Sequence, residues 1–324
     1  MGRSRPIKGA PRARGPTTPV VEPGPTAARD PLRAGEQWER PGSETRCRPS
    51  PIPGRAAAPV LNHTIGCTLN TLSRDALRLG IDIGGTAIKY GVVDTKTGAL
   101  AGPLAQLPTP NPATPQAMAA AMRELLAAVE LWDVAPLPHT AAGVAFPAII
   151  RHGTAHSAAN ISDDWIGLQV NELLGDALGR PATTINDADA AGLAEAAQGA
   201  GKGQGGTVLV LTLGTGIGSA LVVDGVLVPN LELGHLELGG GKAEASTSAV
   251  ARERDGLGWA AYAERLQEYL AYLEFLFSPE LIILGGGISV RHEEFLPHLN
   301  LRTRVVPAQL HNSAGVVGAA LTAA

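Results

Sequence analysis

The chain has 324 residues, with 26 Lys and Arg against 30 Asp and Glu, and its formal charge of −4 gives no general reason to expect nucleic acid or a membrane surface as a partner. Residues 1–75 hold 12 basic and 6 acidic side chains and 12 of the 25 prolines, whereas residues 76–324 hold 14 basic and 24 acidic ones. The only cysteines, Cys47 and Cys67, precede residue 76, which excludes a disulfide scaffold, a cysteine zinc site and a catalytic cysteine from the remaining 249 residues.

The first 75 residues are rich in Arg, Pro, Gly and Ala and poor in large apolar residues, so they bury too little surface to offset chain entropy and are expected to be a disordered extension. They lack the apolar stretch of a secretory signal. No part of the chain approaches the run of about 18 apolar residues that a membrane span needs. A reducing cytoplasm suits this composition.

From Leu77 the pattern changes. Leu77–Ile83 alternates apolar with other residues, turns at Gly84-Gly85-Thr86, and resumes as Ala87–Val93, which predicts strand, tight turn, strand. A helix is expected over 116–129, a short apolar strand over 142–146 ended by Pro147, and a helix near 168–178 stopped by Gly179 and Pro181. A strand at 183–185 then runs into Asn186-Asp187-Ala188-Asp189 and an Ala-rich helix over 190–197. The strand, turn, strand pattern returns at 207–213, Gly214-Thr215-Gly216-Ile217-Gly218 and 219–223, which suggests two similar lobes. Apolar spacings of three and four predict an amphipathic helix from Trp259 to Phe277, read as core packing ahead of a dimer face. A buried strand over 281–284, the turn Gly285-Gly286-Gly287, a short strand at 305–306 and a helix over 314–321 complete the chain.

Paired Gly-rich turns let backbone amides approach an anion, because glycine has no Cβ in the way; phosphate is the natural ligand. Neither turn fits a dinucleotide or Walker signature, and each taken alone reads equally as an ordinary hairpin. Asp82, at the end of a buried strand, needs a divalent ion, its water or backbone donors as a partner. Asp187, at a strand-to-helix junction, has two readings: a proton acceptor for an attacking hydroxyl, or a helix cap in competition with Asn186 and Asp189. Glu232-Leu233-Gly234-His235 offers donors and acceptors suited to sugar hydroxyls.

In their order and spacing Ile81-Asp82-Ile83-Gly84-Gly85-Thr86, Asn186-Asp187-Ala188-Asp189-Ala190-Ala191-Gly192, Leu213–Ser219 and Glu232–His235 resemble the ROK family of sugar kinases over roughly residues 78–322. The resemblance is greatest to the polyphosphate-using glucokinase branch. It implies an α/β fold of the actin-like ATPase (ribonuclease H-like) class with two lobes, 76–186 completed by 313–324, and 187–312. It implies Asp187 as catalytic base and Asn160, Asn186, Glu232 and His235 as glucose ligands. The family's last sugar-binding glutamate follows a cysteine-rich zinc loop; here Gly239–Glu244 has no cysteine, so no zinc is expected, and the role passes to Glu244 with Glu237 as its rival.

By the same resemblance Asp82 serves Mg²⁺, with or without an intervening water, while Gly84, Gly85, Thr86, Gly214, Thr215 and Gly216 cradle donor phosphates with help from Lys89. Gly285, Gly286 and Gly287 stand where the family holds adenosine, so ATP is expected beside polyphosphate. Lys202, Arg252, Arg254 and Arg265 are candidates to line a phosphate track. The expected partners are glucose, polyphosphate and ATP, without nucleic acid or membrane; a homodimer is left open. A strictly ATP-dependent glucokinase on the same fold is the main alternative. A ROK-type repressor is remote, because residues 1–75 contain too many prolines for a DNA-binding helical module.

Overall fold

The computed structural model describes residues 74–324, so Cys47, Cys67 and almost all of the expected extension lie outside the described residues. Arg74–Ala76 forms a 3-10 turn that leads into the first sheet.

The chain proceeds through β1 (Leu77–Ile83), β2 (Ala87–Asp94), β3 (Ala99–Leu100), β4 (Ala105–Pro108), α1 (Pro115–Val129), β5 (Ala142–Phe146), β6 (Ile150–Arg151), β7 (Thr154–Ala155), α2 (Val170–Leu178), β8 (Ala182–Asn186) and α3 (Asp187–Gln198). It continues through β9 (Thr207–Leu213), β10 (Ile217–Val223), β11 (Val226–Val228), β12 (Glu237–Leu238), β13 (Gly241–Lys242), α4 (Glu244–Thr247), α5 (Ala249–Arg254), α6 (Trp259–Phe277), β14 (Leu281–Gly285), β15 (Arg304–Pro307) and α7 (Ala314–Thr322).

Two sheets share one design. The first has the order β3-β2-β1-β5-β8, with β4 also on β2, and the second has the order β11-β10-β9-β14-β15. In each, an antiparallel hairpin (β1 with β2, β9 with β10) is followed by two strands parallel to its first member. The central strands β5 and β14 are buried at every residue, as expected of parallel strands covered on both faces.

Local signals place the helices. Thr114 caps α1 by accepting the Ala117 N–H, and Pro115 stands in its first turn. Gly179 ends α2 at φ 59°. The inner face of α6 (Tyr262, Leu266, Tyr269, Leu270, Leu273) is buried, in keeping with core packing.

The decisive contact is between α3 and α7. α7 lies on β1 and β5 of the first sheet, α3 lies on β9 and β10 of the second, and the two helices pack on each other. Close approach depends on missing side chains: a Cβ at Gly80 would strike the Val316 carbonyl, one at Gly143 the Ala319 carbonyl, and one at Gly318 the Ala190 carbonyl. Backbone therefore rests on backbone, and the ends of α3 and β1 are drawn to one place.

Candidate active site

α3 begins at Asp187, three residues before the helix expected from the sequence. Asn186 is the cap: its Oδ1 accepts the N–H groups of Ala188 at 2.9 Å and Asp189 at 3.1 Å. Asp187 is then the first helical residue, not the cap, and its Oδ1 accepts the Ala188 N–H at 2.9 Å. The Asn186 Nδ2 donates to the Ala148 carbonyl at 3.1 Å, fixing the amide from both ends.

Two cavities meet at this helix start. The smaller, about 300 Å³, is lined by Asp82, Lys89, Glu195, Gly285, Gly286, Gly287, His311 and Gly315, with Val210, Val290 and Ala308 as an apolar wall. The larger, about 730 Å³, is lined by Asn160, Asn186, Gly214, Thr215, Gly216, Glu232, His235, Glu244 and Arg254, among others. Asp187, Ala188, Thr212 and Gly286 line both. The partition between the cavities thus carries one ionisable side chain.

Asp187 is exposed at the cleft, yet protein surrounds it in nearly every other direction and hydrates it poorly. That burial pushes its carboxyl up to about 6; the Ala188 N–H opposes the shift, and the charges of Asp82 and Glu232 add to it. Burial also raises Asp82, with Lys89 acting the other way. The two face each other across the β1–β2 hairpin, in register, with Lys89 Nζ 3.8 Å from Asp82 Oδ2. Gly315 backs Asp82 so closely that a Cβ there would lie 2.6 Å from its Cγ.

In the larger cavity, His235 Nε2 is 3.3 Å from Glu244 Oε1, and Glu244 Oε2 accepts the Ile217 N–H at 3.3 Å. Glu237 lies on β12 and is not among the lining residues. Ser219, buried, donates to the Leu231 carbonyl and accepts the Leu233 N–H, holding the loop that presents Glu232 and His235. Asn160 enters the cavity with φ 60°, a conformation asparagine tolerates better than most residues.

The glycine turns divide. Gly285 and Gly287 are in the smaller cavity and Gly286, between them, lines both; Gly286 has φ 82° and its Cα abuts the Leu213 backbone, so no side chain fits there. Gly214, Thr215 and Gly216 lie in the larger cavity with the sugar-ligand candidates, and Gly84, Gly85 and Thr86 line neither. Gly85 instead abuts Asn160. The N–H of Gly84 bonds the Ala87 carbonyl and that of Gly214 the Gly216 carbonyl, so these two amides are spent inside their own turns.

Of the four candidates for a phosphate track only Arg254 lines either cavity. Arg252 stacks 3.6 Å above the Trp259 ring, Arg265 pairs with Asp255 at 2.6 Å, and Lys202 bonds Gln198. Sequence reasoning passed over Thr212, His311 and Gly315, which carry no motif; they reach the cavity through strand pairing and the approach of α7. Among the described residues no group of three His, Cys, Asp or Glu side chains is placed to hold a metal ion. No helix among them is long and apolar enough to cross a membrane.

The ROK family model matches residues 78–249, more than half of the chain. The chain belongs to the ROK family. Within this family it is 44% identical over 243 residues to the polyphosphate glucokinase of Mycobacterium tuberculosis (strain CDC 1551 / Oshkosh), covering 75% of this chain and 89% of the relative. The crystal structure of an inorganic polyphosphate/ATP-glucomannokinase from Arthrobacter sp. strain KM is 57% identical with a TM-score of 0.73, over 76% of this chain and 98% of that one. A ROK family glucokinase from Streptomyces griseus, solved with glucose and AMPPNP, is 27% identical with a TM-score of 0.61, over 75% and 98%. These ROK structures carry the actin-like ATPase fold expected from the sequence, and the paired sheets described above are its two α/β units.

Proposed function

We propose that the protein phosphorylates the 6-hydroxyl of glucose, taking the phosphoryl group from inorganic polyphosphate and also from ATP. The single observation that carries the reading is the position of Asp187 on the wall shared by two cavities, one with sugar-binding chemistry and one with an apolar side and a glycine turn. The polyphosphate glucokinase and the polyphosphate/ATP-glucomannokinase to which the chain is similar support the choice of donor and acceptor.

In this reading Asn160, Asn186, Glu232, His235 and Glu244 bind the sugar hydroxyls. Asn186 has spent its carbonyl on the helix and one amide hydrogen on Ala148, which leaves it a single donor for substrate. The glucose O6 attacks the terminal phosphorus, the bond from that phosphorus to the donor's bridging oxygen breaks, and the hydroxyl proton passes to the Asp187 carboxylate. Glucose 6-phosphate and the shortened polymer, or ADP, are the products. Thr215 and Gly216, beside the partition, offer amides to the phosphoryl group in transit, and Gly214, its own amide spent on Gly216, closes the turn that presents them; Lys89 and Gly285, Gly286 and Gly287 serve the donor side, and Gly84, Gly85 and Thr86 shape the rim through Asn160.

A half-buried carboxylate with one lysine neighbour suits a hard cation that keeps most of its water, so Asp82 fits Mg²⁺. Bound there, the ion would supply neutralisation of phosphate charge. Closure of the lobes 76–186 with 313–324 and 187–312 would exclude water, a competing acceptor. A cytoplasmic setting belongs to the same proposal, since both donors are charged phosphates of the cell interior.

The test is formation of glucose 6-phosphate by the purified protein from nucleotide-free polyphosphate, followed by coupled reduction of a nicotinamide cofactor. Product with polyphosphate and with ATP is expected. Product with ATP alone would favour the strictly ATP-dependent glucokinase, to which the apolar wall of the smaller cavity is also suited; product with neither would overturn the proposal.

A further inference from the structure

One buried carboxylate has no part in this chemistry. Asp189, two residues after Asp187, is 1% exposed. Its Oδ2 accepts the backbone N–H of Asn230 at 2.7 Å, whereas its buried Oδ1 has no hydrogen-bond partner among the described residues. The charged groups that face it are Asp187 on its own helical turn and Glu232 on the sugar loop, both acidic. An anionic Asp189 would be a third negative charge in that space with one oxygen uncompensated. Burial, opposed by the Asn230 N–H and reinforced by these two neighbours, pushes its carboxyl up to about 7.

Asn230 extends the connection. It has φ 61°, and its side chain pairs twice with one residue: Oδ1 accepts the Ile150 N–H and Nδ2 donates to the Ile150 carbonyl, both at 2.9 Å. This two-point pairing imitates one rung of an antiparallel ladder. It ties the segment that leads into Glu232 and His235 to β6, which follows Pro147–Ile149; both segments line the larger cavity. Asp189 holds the backbone of Asn230, and the amide of Asn230 holds Ile150. Neither residue lines the cavity itself.

We infer that Asp189 and Asn230 are positioning residues that set the width of the sugar cavity: the Asp189 carboxyl fixes the Asn230 backbone, and the Asn230 amide pins the Pro147–Ile150 wall. The inference rests on the sugar reading of that cavity. It assigns the pair to acceptor binding and leaves the donor side untouched.

Asn230→Gly is the cleanest variant, because glycine accepts the positive φ and keeps the N–H for Asp189 while removing only the amide. Glucose binding is measured by calorimetry on the full chain without donor, together with KM for glucose and for ATP. Loss of two hydrogen bonds is expected to weaken glucose about tenfold or more, with the KM for ATP within about twofold of wild type. Asp189→Leu is expected to weaken glucose likewise, and Asp189→Asn, which keeps a neutral acceptor, to restore it to within about threefold. Glucose binding as tight as wild type in Asn230→Gly, an equal rise in both KM values, or an Asp189→Asn protein as defective as Asp189→Leu would each overturn the inference. A wild-type protein that binds no glucose would overturn the sugar reading and this inference together, a result the variants alone would not give. If Asp189→Leu fails to fold, Asn230→Gly decides the matter.

Discussion

Asp187→Asn is expected to lower kcat by about three orders of magnitude, close to 4 kcal/mol in the barrier, while the dissociation constant for glucose stays within about threefold. The asparagine keeps an oxygen for the Ala188 N–H, so the first turn of α3 retains its geometry. What it cannot do is receive the hydroxyl proton. Removing the charge also relieves repulsion from Asp82 and Glu232, so the variant should melt no lower than wild type. Rapid-quench turnover and calorimetric glucose binding check both halves; wild-type kcat would refute the assignment of the base.

Gly318→Val is expected to be the most damaging single change away from the site. A Cβ at residue 318 meets the carbonyl of Ala190, and the neighbouring contacts of Gly80 with Val316 and of Gly143 with Ala319 leave α7 no room to retreat. Backbone atoms cannot swing aside as a side chain can. Overpacking of this kind should cost about 3 kcal/mol or more, lowering the melting temperature by roughly 6–12 °C for a domain of this size. Because α3 carries Asp187 and α7 backs Asp82 through Gly315, the two carboxylates should also separate, and activity should fall further than stability alone explains. Gly258→Ala is the control: a Cβ there meets nothing within 4 Å at an ordinary φ of −65°, and the melting temperature should fall only by the few degrees at most that alanine costs at the cap of α6.

The repeated strand, turn, strand units at 77–94 and 207–223 were legible because alternation is a local signal. Their deeper equivalence was not. The shared order of hairpin, parallel strand, parallel strand depends on pairing β1 with β5 and β9 with β14, contacts between residues 60 or more positions apart that no spacing records. The start of α3 was misplaced by three residues for a related reason: Asn and Asp are poor helix formers, and only the bonds from Asn186 to the Ala188 and Asp189 amides show that the helix begins at once. The motifs identified the glycine turns, yet whether a turn reaches a cavity is decided by how the sheets meet. That is why Gly214 and Gly285 fall in different cavities and Gly84 in neither. Asp189 read as a possible cap; its burial and its bond to Asn230, 41 residues away, are products of tertiary structure.

The most direct measurement is the pH dependence of kcat, taken with polyphosphate and with ATP. Because the carboxyl of Asp187 is raised to about 6 and acts only after losing its proton, kcat should rise as pH increases through that value. The limb should be the same for both donors, since the side chain lies on the wall common to both cavities, and it should vanish from the residual activity of Asp187→Asn. A flat profile between pH 5 and 8, a limb seen with one donor only, or a limb that survives in Asp187→Asn would contradict the account.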